Sequence, residues 1–170
     1  MGDDVKAFVR LADLETIPFS HGKSYESYDA PVAKALGLTK LGAAYTVVPP
    51  GKTACPYHVH HAEDEMFIVL SGSGEYRFGD TIHEVQAGDV LGAPVGGAEF
   101  AHQLWNRGNE PLIYLAISSK ADVDVCEYPD TGKFAVMSGG GKTRRHGQSA
   151  FAFVGRAEQG LDYFDGDADV

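Results

Sequence analysis

Residues 51–72 read GKTACPYHVHHAEDEMFIVLSG, and the spacing of His58, His60 and Glu65 inside that stretch decides the fold. Alternate side chains of a β-strand project to one face. His58 and His60 therefore project together, with Val59 turned away. After a short connection, Glu65, Phe67 and Val69 form a second same-face set. Gathering two imidazoles and a carboxylate inside a sheet is costly, roughly several kcal/mol for each buried charge left unpaired. A bound divalent metal removes that cost and makes the cluster favourable.

Residues 88–106, GDVLGAPVGGAEFAHQLWN, supply a third imidazole. His102 shares a strand face with Leu104 and can join the first two. Taken together, the two stretches resemble the paired motifs of the cupin superfamily. In the first motif, Gly51 is followed by six residues, His58-Val59-His60, four residues, Glu65, six residues and Gly72. In the second, Gly88 is followed by Pro94, Gly96, His102 and Asn106. The chain departs from the family pattern in having five residues, not two, between Gly96 and His102. The resemblance implies that His58, His60, Glu65 and His102 are metal ligands. Asn106 shares the His102 face and is a candidate to orient that ring from behind, although the family's asparagine more often stabilises a turn. It also implies an all-β fold, the double-stranded β-helix or cupin jelly-roll barrel, with a few short helical turns. Three neutral imidazoles and one carboxylate suit one divalent transition metal: manganese, iron, nickel or zinc.

The rest of the chain agrees with a β fold. Its 170 residues fit one domain, and 21 glycines amid few helix-forming stretches point to short strands and tight turns. The net charge of −10 disfavours nucleic acid as a partner. No apolar run is long enough to span a membrane. The N-terminal segment is acidic and lacks the apolar core of a secretory signal. Cys55 and Cys126 read as free thiols of a reducing compartment, so a cytoplasmic location is expected. If the strand through His58 is regular, Cys55 lies on the opposite face.

In chain order, residues 1–39 read as an N-terminal arm packing on the barrel, 40–128 as the barrel, and 129–170 as a C-terminal extension of the same domain. Residues 5–11, VKAFVRL, alternate as an edge or interface strand would. PVAKALGL suggests a helical turn that opens near Pro31 and stops at Gly37. His21 reads as a surface residue. KLGAAYTVV at 40–48 is the first core strand, Ser71–Gly74 a hairpin connection, and Gly79-Asp80 the next turn. In the extension, GGGKTRRHGQ reads as a solvated basic loop. Tyr163 and Phe164 call for burial, either against the barrel or against a second copy, and a homodimer is expected on that ground.

Strand parity also gives a pocket lining. Phe67, Val69 and Leu104 share faces with the ligands, and Tyr45 and Tyr76 join them. Placing Tyr76 and Phe78 inward sends Arg77 outward, and Trp105 has the parity opposite to His102. A phosphosugar substrate needs a cationic clamp. Lys52 and Arg77 are the nearest candidates, and parity gives neither an inward place. The barrel followed by a Tyr-Pro-Asp turn and a Tyr-Phe-Asp-Gly tail resembles a group of small single-domain bacterial cupins with phosphosugar-isomerase-like labels. The expectation is a metal-binding cupin enzyme acting on a small polar molecule, isomerase-like or dioxygenase-like. Its alternative is a non-catalytic module that binds or senses a sugar or carboxylate. A third reading gives the metal only the role of stiffening the barrel.

Overall fold

The computed structural model describes residues 5–138 and 151–167. Its strands are β1 (Ile17–His21), β2 (Tyr25–Ala30), β3 (Leu41–Val48), β4 (Val59–His60), β5 (Glu65–Ser71), β6 (Ser73–Phe78) and β7 (Thr81–Gln86). They continue with β8 (Val90–Ala93), β9 (His102–Trp105), β10 (Leu112–Ser119), β11 (Val123–Tyr128), β12 (Lys133–Ser138) and β13 (Phe151–Gly155). One helical turn, α1 (Val32–Ala35), follows Pro31 and ends ahead of Gly37. No helix among the described residues is long and apolar enough to cross a membrane.

The strands form three sheets, ordered β1-β2-β3-β10-β5-β8, β13-β12-β11-β4 and β7-β6-β9. His58 and His102 exchange backbone hydrogen bonds of 3.1 and 2.7 Å. That bridge splices β4 onto β9, so the second and third sheets continue as one wall. The six-stranded sheet is the other wall. Val48, Phe67, Val69, Leu91, Ala93, Leu112 and Tyr114 from it pack against Tyr76, Val85 and Leu104 from the opposite wall. Each fully buried side chain of the size of Val69 or Leu112 contributes roughly 1.5–3 kcal/mol.

Several local expectations need correction. Residues 5–11 form no strand; Val5 and Phe8 are exposed. The edge of the sheet is instead the hairpin of β1 and β2, which extends the wall through β3. Ser71–Gly74 is not a hairpin connection. β5 ends in one sheet and β6 begins in the other, so the chain turns a corner at Gly72. Gly72 has φ +80°, a left-handed backbone that glycine adopts without steric cost. A Cβ there would also run into the Pro111 carbonyl oxygen.

The extension adds β13 to the edge of β12. Tyr163 and Phe164 do not pack on the barrel. They are 89% and 69% exposed and touch each other edge to face. The basic stretch 139–148 lies outside the described residues.

Candidate metal centre

Four side chains converge from different elements. His60 closes β4 with His58 just before it, Glu65 opens β5, and His102 opens β9. The Glu65 carboxylate sits among the rings. Its Oε2 lies 2.9 Å from His102 Nε2, 3.4 Å from His58 Nε2 and 3.5 Å from His60 Nε2. Ligand atoms about 2.0–2.2 Å from one ion stand about 3.0–3.5 Å apart when they are neighbours in its coordination shell. These separations fit that shell. His58, Glu65 and His102 offer ligand atoms all within 4.8 Å of one another. His60 joins them through Glu65.

The far side of each ring is held. His58 Nδ1 lies 2.8 Å from the Pro56 carbonyl oxygen, and His102 Nδ1 lies 3.3 Å from that of Phe100. A carbonyl oxygen only accepts, so Nδ1 carries a proton in both rings; each Nε2 is then aimed at Glu65, donating to it when the ring is protonated and offering its lone pair to a cation when the ring is neutral. His60 Nδ1 is 2.6 Å from the buried Asp124 carboxylate, which also accepts the Ala62 N–H at 3.0 Å. A carboxylate or carbonyl behind a metal-binding imidazole fixes its tautomer and raises its basicity. The longer connection between Gly96 and His102 has a local use here. It forms a 3-10 turn at Ala98–Phe100 that places the Phe100 carbonyl against His102.

The electrostatics follow from burial and proximity. Burial acts to raise the pKa of Glu65, but the hydrogen bonds from His102 and His58 outweigh it and hold that carboxyl far below its usual range. Burial alone would lower His58, yet Cys55 and Glu65 push it well above its ordinary value. His102 is lowered, because burial and the nearby His58 outweigh Glu65. With one carboxylate and one ring favouring charge, the cluster is held together by its own polarity, and a cation satisfies all four donors at once.

The expected lining is placed as follows. Phe67 and Tyr76 pack against His102 at ring separations of 5.5 and 6.2 Å. Val69 and Leu104 lie deeper in the apolar cluster. Tyr45 does not line the interior. Thr46 and Val48 take the buried face of β3, and Tyr45 pairs with Leu115 and Ala30 on the other face. Asn106 is not behind a ligand either. Its side-chain amide donates to the Val48 and Glu110 carbonyls and accepts the Gly108 N–H, which holds a turn. Arg77 points outward, bonded to Asp130 at 2.8 Å with its guanidinium 3.5 Å from the centre of the Tyr57 ring. Lys52 is taken up by the Lys23 carbonyl and Glu26.

Cys55 is not on the face opposite His58. Residues 54–57 are irregular, so strand parity fails there, and the thiol acts directly on His58. DVDVCEYPDTGKFAVMS forms the one or two last strands its alternation suggests, but sequence reasoning missed what β11 brings to the site. Cys126 stands opposite His60 in the ladder, and opposed residues share a face. Asp124, Cys126 and Tyr128 therefore all face the histidines. The Cys126 thiol, with His58 and His60, forms a second group of potential ligand atoms within 4.8 Å, and burial pushes the thiol up to about 11. The alternation in DVDVCEY marks a same-face set, but nothing in its spacing names β4 as its neighbour.

Comparison with known proteins agrees with this architecture. Residues 44–118 match the family model described as a cupin domain. No curated protein matches the chain. Among solved structures, a candidate sugar phosphate isomerase from Acidithiobacillus ferrooxidans is 28% identical, with a TM-score of 0.68 over 81% of this chain and 80% of that one. A sugar phosphate isomerase of the cupin superfamily from Silicibacter pomeroyi has a TM-score of 0.75 over 93% of this chain and 98% of that one, at 18% identity. That second likeness shows the fold. A predicted oxalate decarboxylase from Thermotoga maritima is 26% identical, with a TM-score of 0.58 over 66% of this chain and 97% of that one.

Proposed function

We propose, from the cupin-domain match over residues 44–118 and the cupin-like fold, that the chain is a metal-dependent cupin enzyme of the sugar-phosphate isomerase type. The observation that carries this reading is the convergence of three Nε2 atoms on one Glu65 oxygen, each ring fixed from behind. His58, His60, Glu65 and His102 would hold one divalent ion, manganese, iron, nickel or zinc. When bound, such an ion supplies a Lewis acid for a carbonyl or hydroxyl oxygen of a sugar. The protein's own residues fix the donors, exclude bulk water with Phe67 and Tyr76, and leave Glu65 and His60 partly open to solvent. The similarity to the Acidithiobacillus protein supports the isomerase over a dioxygenase-like reading.

One observation favours a second reading, a non-catalytic module for a sugar or carboxylate. Burial raises the pKa of Tyr76, Tyr128 and Cys126 beside the cluster, so none of them is a ready base near neutrality. The test is metal analysis of the purified chain, followed by turnover of aldose and ketose phosphates with each metal restored. Interconversion that needs the metal supports the isomerase. Tight binding without turnover favours the module, and the absence of bound metal refutes both. We also propose a homodimer, because Ile17, Phe153 and Val154 are exposed on the sheet edges and Tyr163 and Phe164 on the tail. Light scattering giving the mass of one chain would contradict it.

A further inference from the structure

An acidic chain that binds an anionic sugar needs a local cation, and the second wall of the barrel carries one. In the β11–β12 ladder, Asp124 stands opposite Met137, Cys126 opposite Ala135 and Tyr128 opposite Lys133. Opposed residues of an antiparallel pair project to the same face. Cys126, Ala135, Met137 and Tyr128 pack together on that face, the one Asp124 uses to hold His60. Lys133 therefore shares the interior face with the metal centre. The Tyr128 ring stacks on the His58 ring at 6.2 Å and 29°. The Lys133 ammonium stands 4.8 Å from the centre of the Tyr128 ring. The two contacts lead from the histidines by way of Tyr128 toward the β11–β12 turn.

The charge on Lys133 is available. Arg77, Arg107 and Lys52 are neutralised by Asp130, Glu75 and Glu26 on outer surfaces. Among the described residues no carboxylate lies within ion-pairing distance of Lys133, which is held by the electrostatic attraction of an aromatic face. A phosphate monoester carries about −1.5 to −2 charge near neutrality, more than a single carboxylate, and gains more from one ammonium.

We propose that Lys133 holds the phosphate end of the small substrate whose other end reaches the centre formed by His58, His60, Glu65 and His102. This inference rests on the metal-site reading. The test is calorimetric titration of the manganese-loaded full chain with D-ribose 5-phosphate and with D-ribose, in the wild type, Lys133→Met and Lys133→Arg. Manganese content is measured in each. The methionine keeps the apolar stem and removes the charge. Wild type is expected to bind the phosphorylated sugar at least tenfold more tightly than the free one. K133M should lose that preference with manganese content unchanged, and K133R should keep most of it. Equal binding of ribose 5-phosphate by wild type and K133M, or no preference for the phosphorylated sugar in the wild type, overturns the proposal while leaving the metal reading standing. Failure of the wild type to hold manganese, iron, nickel or zinc overturns both.

Discussion

The two ends of the barrel interior are built on the same strands and do opposite things. β5 runs from Glu65 through Phe67 to Val69, and β9 runs from His102 to Leu104. Along each inward face the chemistry passes from ligand to hydrocarbon within one or two alternations. The apolar end gathers Val48, Val69, Leu104 and Leu112, which are almost wholly buried and need no partners. The polar end gathers three imidazoles and two carboxylates, each with a specific hydrogen-bond partner. Strand parity chooses the side, and position along the strand chooses the chemistry. The apolar end should govern stability and the polar end metal binding, with little exchange between them.

The sharpest break in that division would come from the ligands. His58→Ala or His102→Ala should reduce metal content from near one ion per chain to a small fraction, with the β-sheet circular dichroism signal retained. Elemental analysis of the purified variants reads this, and full occupancy in both would refute the assignment. Leu112→Ala at the apolar end should cost about 2–5 kcal/mol of stability. It should leave metal stoichiometry unchanged, as denaturant melts and metal analysis would show.

Asp124→Asn should weaken metal affinity by about 10- to 100-fold, because the variant loses the carboxylate behind His60. Competition with a chelator measures this, and unchanged affinity would remove Asp124 from the centre. Glu65→Gln tests the electrostatics of the metal-free protein. The depressed pKa of Glu65 gives a contribution to stability that is present above its ordinary value and lost as pH falls through the folded one. The melting temperature of wild type should exceed that of E65Q near about pH 6, and the gap should narrow progressively as pH falls below about 4. A gap that widens toward acid would contradict the sign. The smallest effect is expected on the tail, where Tyr163→Ser with Phe164→Ser should change monomer stability by no more than about 0.5 kcal/mol.

The comparison of the two ends also shows what the sequence could reveal. His58, His60 and Glu65 lie close together in sequence, and parity with short spacings suffices to bring them to one place. Phe67, Leu104 and Tyr76 follow from the same rule. Tyr45 failed because KLGAAYTVV offers two apolar faces, and only the neighbours of β3 decide which is inward. Cys55 failed because its segment is not a strand. Asp124 is 64 residues from His60, with no motif joining them. Its place depends on β11 lying beside β4, a pairing that only the closed barrel sets. Asn106 keeps its motif position and secures a turn, the role the family's asparagine more often has, rather than orienting His102.

X-ray absorption at the metal edge of the loaded wild-type chain tests the central claim most directly. About one ion per chain, with a shell of nitrogen and oxygen neighbours near 2.0–2.2 Å and the outer scattering of imidazole rings, is the predicted result. A chain that retains no ion after loading, or an ion whose shell lacks imidazole, would contradict it.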